Sequence, residues 1–212
     1  TFYMSKSAGV DPTTGEQLYW AYEKNADGSM KPGSEYVTND ATVAASCKYL
    51  QGSRIPDIYG SISSSLKFRG FDLGLLFTYS LGGKIYDSIY NALMEPSFVG
   101  QTYHRNALRT WTAPGQRTDV PRTTTTASTQ ITDRYLIDAS YFAVKNISLG
   151  YSLPKQLLGK VGIESLRVYL AADSPWIFTH LKGMNPQASF TGSTSYSYTP
   201  NRTFTLGVDL KF

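Results

Sequence analysis

The residue types that most often carry chemistry are few and scattered in this chain. His104 and His180 are the only histidines and Cys47 the only cysteine, and no spacing among them makes a zinc ligand set. Asp87, Glu95, Asp119, Asp133 and Asp138 lie apart, and nothing in their spacing demands an acid–base pair. Serine and threonine are abundant, yet there is no G-x-S-x-G elbow, no G-x-G-x-x-G and no phosphate loop. The oxygen-rich stretches 11–16 and 25–29 fall short of a calcium-loop pattern and read as ordinary turns. The sequence therefore reads as non-enzymatic, with no cofactor and no metal.

What remains is recognition by rings, amides and guanidinium groups. Trp111, Trp176, Tyr196 and Tyr198 fall in long connecting segments, where aromatic faces stack on sugar rings or on peptide side chains. Tyr86 and Asn91 fall in a stretch, 85–94, where Ile85, Ile89 and Leu93 recur at helical spacing; the spacing predicts a short amphipathic helix ended before Pro96. Ala107, Leu108 and Trp111 suggest another helical turn, and Arg105 and Arg109 beside them add hydrogen-bonding capacity. Tyr86, Asn91, Arg105, Arg109, Trp111, Trp176, Tyr196 and Tyr198 form the candidate substrate-binding set. Packing of the loops on themselves is the competing reading for each.

The elements that must position these residues follow a period of two. Ile58, Ile62, Leu66 and Phe68 alternate with Tyr59, Ser61, Ser63, Ser65 and Lys67. After Arg69 and Gly70 the phase continues as Phe71, Leu73, Leu75, Phe77 and Tyr79 against Asp72, Gly74, Thr78 and Ser80, with Leu76 as the exception. Two alternating runs about a glycine turn predict a β-hairpin with one apolar face. In a third run Ile147, Leu149, Tyr151 and Leu153 share one phase, whereas Phe142 and Val144 hold the other. That switch predicts a bulge at Lys145 and Asn146. A fourth run places Leu166, Val168 and Leu170 against Arg167, Tyr169 and Ala171, and Pro175 ends or bulges this strand. The last is the cleanest: Phe204, Leu206, Val208, Leu210 and Phe212 alternate with Thr205, Gly207, Asp209 and Lys211.

The connectors alternate too. Arg69-Gly70 is tight and 154–165 is short, with one helical turn near 156–158, whereas 80–140, 173–200 and everything before Ile58 are long. Short turns at one end and long loops at the other is the asymmetry of an outer-membrane barrel. A tilted strand of about ten residues covers roughly 25 Å, the height of the apolar band of such barrels. A secreted carbohydrate-binding β-sandwich is the alternative, since its strands also alternate.

Composition agrees with a folded β protein. The chain has 212 residues, 14% aromatic and only 17% charged, and its net charge of +4 includes no run of five like charges. Disorder and a basic arm for nucleic acid are excluded on those grounds. No stretch is long and apolar enough for a membrane-spanning helix. The opening at Thr1, without a Met or a leader-like segment, is expected either of a chain whose leader has been removed or of a piece of a longer chain.

Particular motifs carry a resemblance. The final Thr205-Leu206-Gly207-Val208-Asp209-Leu210-Lys211-Phe212 looks like the assembly signal of bacterial outer-membrane proteins. Lys67-Phe68-Arg69-Gly70-Phe71-Asp72-Leu73, followed by Phe77-Thr78-Tyr79-Ser80-Leu81-Gly82-Gly83-Lys84, resembles SusC/RagA-type TonB-dependent transporters. So do Trp111-Thr112-Ala113-Pro114-Gly115, Thr118-Asp119-Val120-Pro121-Arg122, Lys145-Asn146-Ile147-Ser148-Leu149-Gly150-Tyr151, Gly183-Met184-Asn185-Pro186 and, upstream, Ala8-Gly9-Val10-Asp11-Pro12-Thr13-Thr14-Gly15.

The resemblance implies an all-β fold: an antiparallel transmembrane barrel wall of about five C-terminal strands out of about 22. Residues 1–57 are then an extracellular loop region, and 58–212 hold the strands, with long extracellular loops at 80–140 and 173–200. It further implies import of oligosaccharides or oligopeptides across the bacterial outer membrane. The implied partners are a SusD-like lipoprotein lid, the TonB complex through an N-terminal region outside this sequence, outer-membrane lipid, and the remaining barrel and plug. Pairing of two transporter–lipoprotein units belongs to the same picture. A passive porin keeps the barrel and drops TonB.

Overall fold

In the computed structural model the described residues are 1–95, 100, 102–123, 130–158, 162–180, 185–187, 192–194 and 201–212. The elements in chain order are β1 (Tyr3–Met4), β2 (Lys6–Val10), β3 (Gln17–Ala21), β4 (Tyr36–Thr38), α1 (Ala41–Ser46), β5 (Tyr49–Leu50), β6 (Ile58–Phe68), β7 (Phe71–Leu81), β8 (Lys84–Tyr86), α2 (Ser88–Met94), β9 (Leu136–Asp138), β10 (Tyr141–Ser152), α3 (Lys155–Leu158), β11 (Ser165–Thr179) and β12 (Thr203–Lys211). Single 3-10 turns occupy Arg105–Arg109 and Asp133–Tyr135. The chain divides into two compact units.

The larger sheet belongs to the unit formed by Pro56–Gly83, Asp138–Ala188 and Ser197–Phe212. Its five strands run β12-β11-β10-β7-β6, every neighbouring pair antiparallel. β6 and β7 meet through a two-residue loop in which Arg69 and Gly70 both take positive φ, 48° and 88°. That is the turn geometry that matches strand twist in a tight hairpin.

The register explains the alternation. Leu66, Leu73, Leu149, Leu170 and Leu206 form one row across all five strands. Toward the Arg69–Gly70 turn the next row is Phe68, Phe71, Tyr151, Val168 and Val208, with the Phe71 and Tyr151 rings 4.5 Å apart. Toward the other end lie Phe77, Tyr79, Phe142, Trp176 and Phe178. There Phe142 stacks on Phe77 at 5.6 Å and meets Phe178 at 6.3 Å. Aromatic bands thus flank an aliphatic middle. Phe71 to Tyr79 spans roughly 26 Å along the strand, or about 20 Å along the normal at a 40° tilt.

No second layer covers this face among the described residues. Phe204, Leu206, Val208 and Leu210 are 67%, 75%, 56% and 48% exposed. A β-sandwich would have buried them. The buried hydrophobic clusters of the described residues lie in the other unit, around Tyr86 and around Ala21. Among the described residues no helix is long and apolar enough to cross a membrane.

Two irregularities sit side by side. β10 slips by one residue between Val144 and Asn146, as the phase switch predicts. Opposite it on β11, Val144 pairs with Trp176 and Asn146 with Asp173, leaving Ser174 and Pro175 as the bulge. Pro175 therefore interrupts no ladder bond, and β11 continues to Thr179. The loop expected from residue 173 starts after that strand, so Trp176 is a strand residue.

The second unit comprises Thr1–Ile55, Lys84–Ile137 and the described part of Ser189–Tyr196. It holds the sheet β2-β3-β4, the pairs β1–β5 and β8–β9, and two short helices. Within the expected extracellular loop region, 1–57, short strands and a helix form, and Lys84–Ile137 belongs to the same unit as Thr1–Ile55. Asp40 caps α1 by accepting from the Thr42 and Val43 amides at 2.7 and 3.2 Å. The helix expected over 85–94 begins only at Ser88, capped by Asp87. Ile85 and its neighbours are drawn instead into pairing of β8 with β9, and Ile85 is fully buried.

Candidate functional site

The sheet's second face is polar. Rows across it read Lys67, Asp72, Gly150, Tyr169 and Gly207, then Ser65, Gly74, Ser148, Ala171 and Thr205. Arg167 ties three strands on this face. Its Nε and Nη2 donate to the two Asp72 carboxylate oxygens at 3.0 and 2.7 Å, and its Nη1 donates to Asp209 at 3.0 Å. This is the planar fork on a carboxylate that lysine cannot reproduce. The guanidinium also lies 4.9 Å from the Tyr169 ring centre. Tyr169 in turn lies over Gly207, where a Cβ would fall 2.3 Å from the ring Cζ. Higher on the same face Asn146 donates to Asp173 at 2.7 Å. Hydrogen-bonded charges and amides lie on one face and bare leucines on the other, the two-faced pattern of an outer-membrane barrel strand.

The candidate substrate-binding residues are placed as follows. Tyr86 is a core residue, 8% exposed and packed with Met94, Val120 and Tyr135. Its ring meets Tyr135 edge-on at 6.4 Å. Burial, with the charges of Glu95 and Asp87 adding to it, pushes its hydroxyl up to about 12. It is not an open stacking platform, because pairing of β8 with β9 draws it inward. Asn91 lies in α2, where its backbone N–H donates to the Asp87 carbonyl at 3.0 Å. Arg105 and Arg109 occupy the 3-10 turn and are exposed; Arg109 pairs with Asp119 at 3.2 Å.

Trp111 braces a turn. Its indole Nε1 donates to the Pro12 carbonyl at 3.0 Å, and its ring fills the space beside Gly15, where a Cβ would come within 2.4 Å. Gly15 has a φ of 73°, and Arg122 closes the same corner by pairing with Glu16 at 2.8 Å. Trp176, 52% exposed, sits in the apolar face's aromatic band, away from any loop tip. Tyr196 and Tyr198 lie outside the described residues.

The structure therefore brings Tyr86, Asn91, Arg105, Arg109 and Trp111 into one compact unit and assigns Trp176 to the other. The Asp72–Arg167–Asp209 network was missed by sequence reasoning. Each member stands on the polar phase of an alternating run, so the residue types were visible; the register that joins them was not. Among the described residues no three of His, Cys, Asp and Glu gather closely enough to hold a metal ion.

Comparison with known proteins agrees with this geometry. No family model matches the chain. It is 30% identical over 199 residues to TonB-dependent receptor P3 of Formosa agariphila, covering 87% of this chain and 20% of that protein. It is 25% identical over 203 residues to TonB-dependent receptor SusC of Bacteroides thetaiotaomicron, covering 92% of this chain and 19% of SusC. The chain thus spans about a fifth of the length of the curated relatives it matches. Among solved structures, the RagAB peptide transporter superposes on the whole chain with a TM-score of 0.84 at 27% identity, over 23% of the transporter chain. The RagAB peptide importer in its open-open state gives a TM-score of 0.77 at 27% identity, over 22% of that chain. These relatives are named as receptors and transporters, not as enzymes. A five-stranded wall with one lipophilic and one polar face, matched along its whole length by such proteins, identifies the chain as a segment of a SusC/RagA-type TonB-dependent transporter.

Proposed function

We propose that this segment forms the C-terminal part of the barrel wall of an outer-membrane importer energised through TonB. The cargo is oligopeptide or oligosaccharide, and a SusD-like lipoprotein on the cell surface serves as the lid. The single observation that carries the reading is the bare apolar face, five leucines wide and bounded by aromatic bands, opposite a polar face laced by Arg167. In hydrocarbon the unpaired edges of β6 and β12 would each be costly, so further strands of the complete protein close the barrel. Likeness to a peptide transporter along the entire chain supports oligopeptides as cargo.

The test uses the complete protein. Fractionation places it in the outer membrane, detergent extracts it together with a lipoprotein partner, and uptake of cargo stops in cells lacking TonB. Recovery as a freely soluble, monodisperse protein contradicts the reading. Uptake that persists without TonB would instead identify a passive pore.

A further inference from the structure

The paired bulges of β10 and β11 border a cavity of about 440 Å³, whose lining includes Lys145, Ser174, Asn185, Gln187, Asn201 and Arg202. Its origin lies in the register. β12 pairs with β11 only as far as Thr203 opposite Asp173, whereas β11 continues to Thr179, so Asn201 and Arg202 approach beside the bulge without entering the ladder. The cavity is large enough for one or two residues of an oligomer.

Its chemistry is one-sided. Lys145 and Arg202 bring two positive charges, Asn185, Asn201 and Gln187 bring amides, and the lining contains no Asp or Glu among the described residues. Among the described residues neither Lys145 nor Arg202 is in an ion pair. Lys145 donates one hydrogen to Gln187 Oε1, leaving two others. Among the described residues Gln187 Nε2 is buried without a hydrogen-bond partner, an uncommon state for a buried donor. Ser174 adds a non-glycine backbone at a φ of 50°, and such local strain collects where structure serves binding. Two cations and an orphaned amide donor, with no acid beside them in the described lining, suit an anionic oxygen group.

We infer that this cavity is a subsite for a carboxylate carried by the cargo. The inference rests on the import reading and deepens it. Arg202 offers a two-pronged contact, Lys145 a point charge, and the Gln187 amide a neutral donor. A peptide terminus and a uronic acid both supply the group.

The experiment measures binding to the complete transporter in detergent. The probes are N-acetyl-tetraalanine with a free or an amidated C-terminus, and trigalacturonate as the free acid or the methyl ester. Wild type is expected to bind one acid at least tenfold more tightly than its neutralised form, and the pair that shows this names the source. Lys145→Gln with Arg202→Gln removes that preference, whereas Lys145→Arg retains it. Arg202→Gln alone, at an exposed position before β12, reduces the preference and serves should the double variant fail to fold. Equal binding of acid and neutral forms by wild type, or a preference untouched by the variants, overturns the subsite. Failure of the import reading is separate: it is read from membrane fractionation and TonB-dependent uptake of the wild-type protein.

Discussion

Gly207 offers a test in which sign and magnitude are both informative. A methyl group there would sit 2.3 Å from Tyr169 Cζ and 2.5 Å from its Cε1 and hydroxyl oxygen, far inside contact distance. The ring must swing off the strand, giving up its packing on β12 and its place under the Arg167 guanidinium. Overpacking of this kind costs about 1–3 kcal/mol, and the cation–π contact adds about 0.5–1 kcal/mol. Without the ring, Gly→Ala in a strand should be favourable by about 0.5–1 kcal/mol, because glycine loses more backbone freedom on folding. Gly207→Ala is therefore expected to destabilise by about 1–3 kcal/mol in the native background and to be neutral or stabilising in Tyr169→Ala. The assay is the urea midpoint of the complete transporter in lipid vesicles, with all four members of the cycle compared at unchanged slope. If Gly207→Ala acts alike in both backgrounds, the ring does not lie over Gly207 and the described polar face is wrong.

Other predictions follow the same residues. Leu206→Arg places a cation in the leucine row of the lipid-facing side and is expected to cost about 2–4 kcal/mol in a bilayer, measured by denaturant unfolding. Thr205→Arg on the opposite face should cost less than about 0.5 kcal/mol by the same measurement. Arg167→Met leaves Asp72 and Asp209 without their shared partner; unfolding should show it to be more damaging than Asp209→Asn, which leaves the two-pronged Asp72 contact whole. Gly15→Ala should loosen the brace under Trp111, read as increased proteolysis near residue 12. The tyrosine core gives an alkaline signature. Burial raises the Tyr86 hydroxyl from 10.0 to about 12, and raises Tyr135 and Tyr19 as well. A raised acid binds its proton more tightly when folded, so this stability is whole below pH 10 and falls from pH 10 to about 12. Tyrosinate absorbance should rise with unfolding across that window, and Tyr86→Phe should weaken the dependence.

Much of the wall was legible because one physical requirement writes it. A strand with oil on one side and water on the other must alternate, and β12 does so without exception from Phe204 to Lys211. The bulge at Lys145 was readable for the same reason, since an extra residue reverses the phase. Pro175 announced an irregularity but not that the strand would pass through it; continuation depended on the facing bulge in β10, a long-range fact. Tyr86 misled because the helical spacing of Ile85, Ile89 and Leu93 is local, whereas pairing of Lys84–Tyr86 with Leu136–Asp138 is settled about fifty residues away. For Trp111 packing within the loops was the competing reading, and the partners that realise it, Pro12 and Gly15, are too distant in sequence to be named from it. The short strands within residues 1–55, two to five residues each, are too brief to show a period and were not individually legible.

The central claim is that the leucine face meets acyl chains. A lipid-soluble photoprobe, activated with the complete protein in a bilayer and mapped by peptide mass, addresses it directly. The expected result is labelling at Leu170, Leu206, Val208 and Leu210, with Thr205, Asp209 and Arg167 unlabelled. Labelling absent from the leucines, or equal on the two faces, would contradict it.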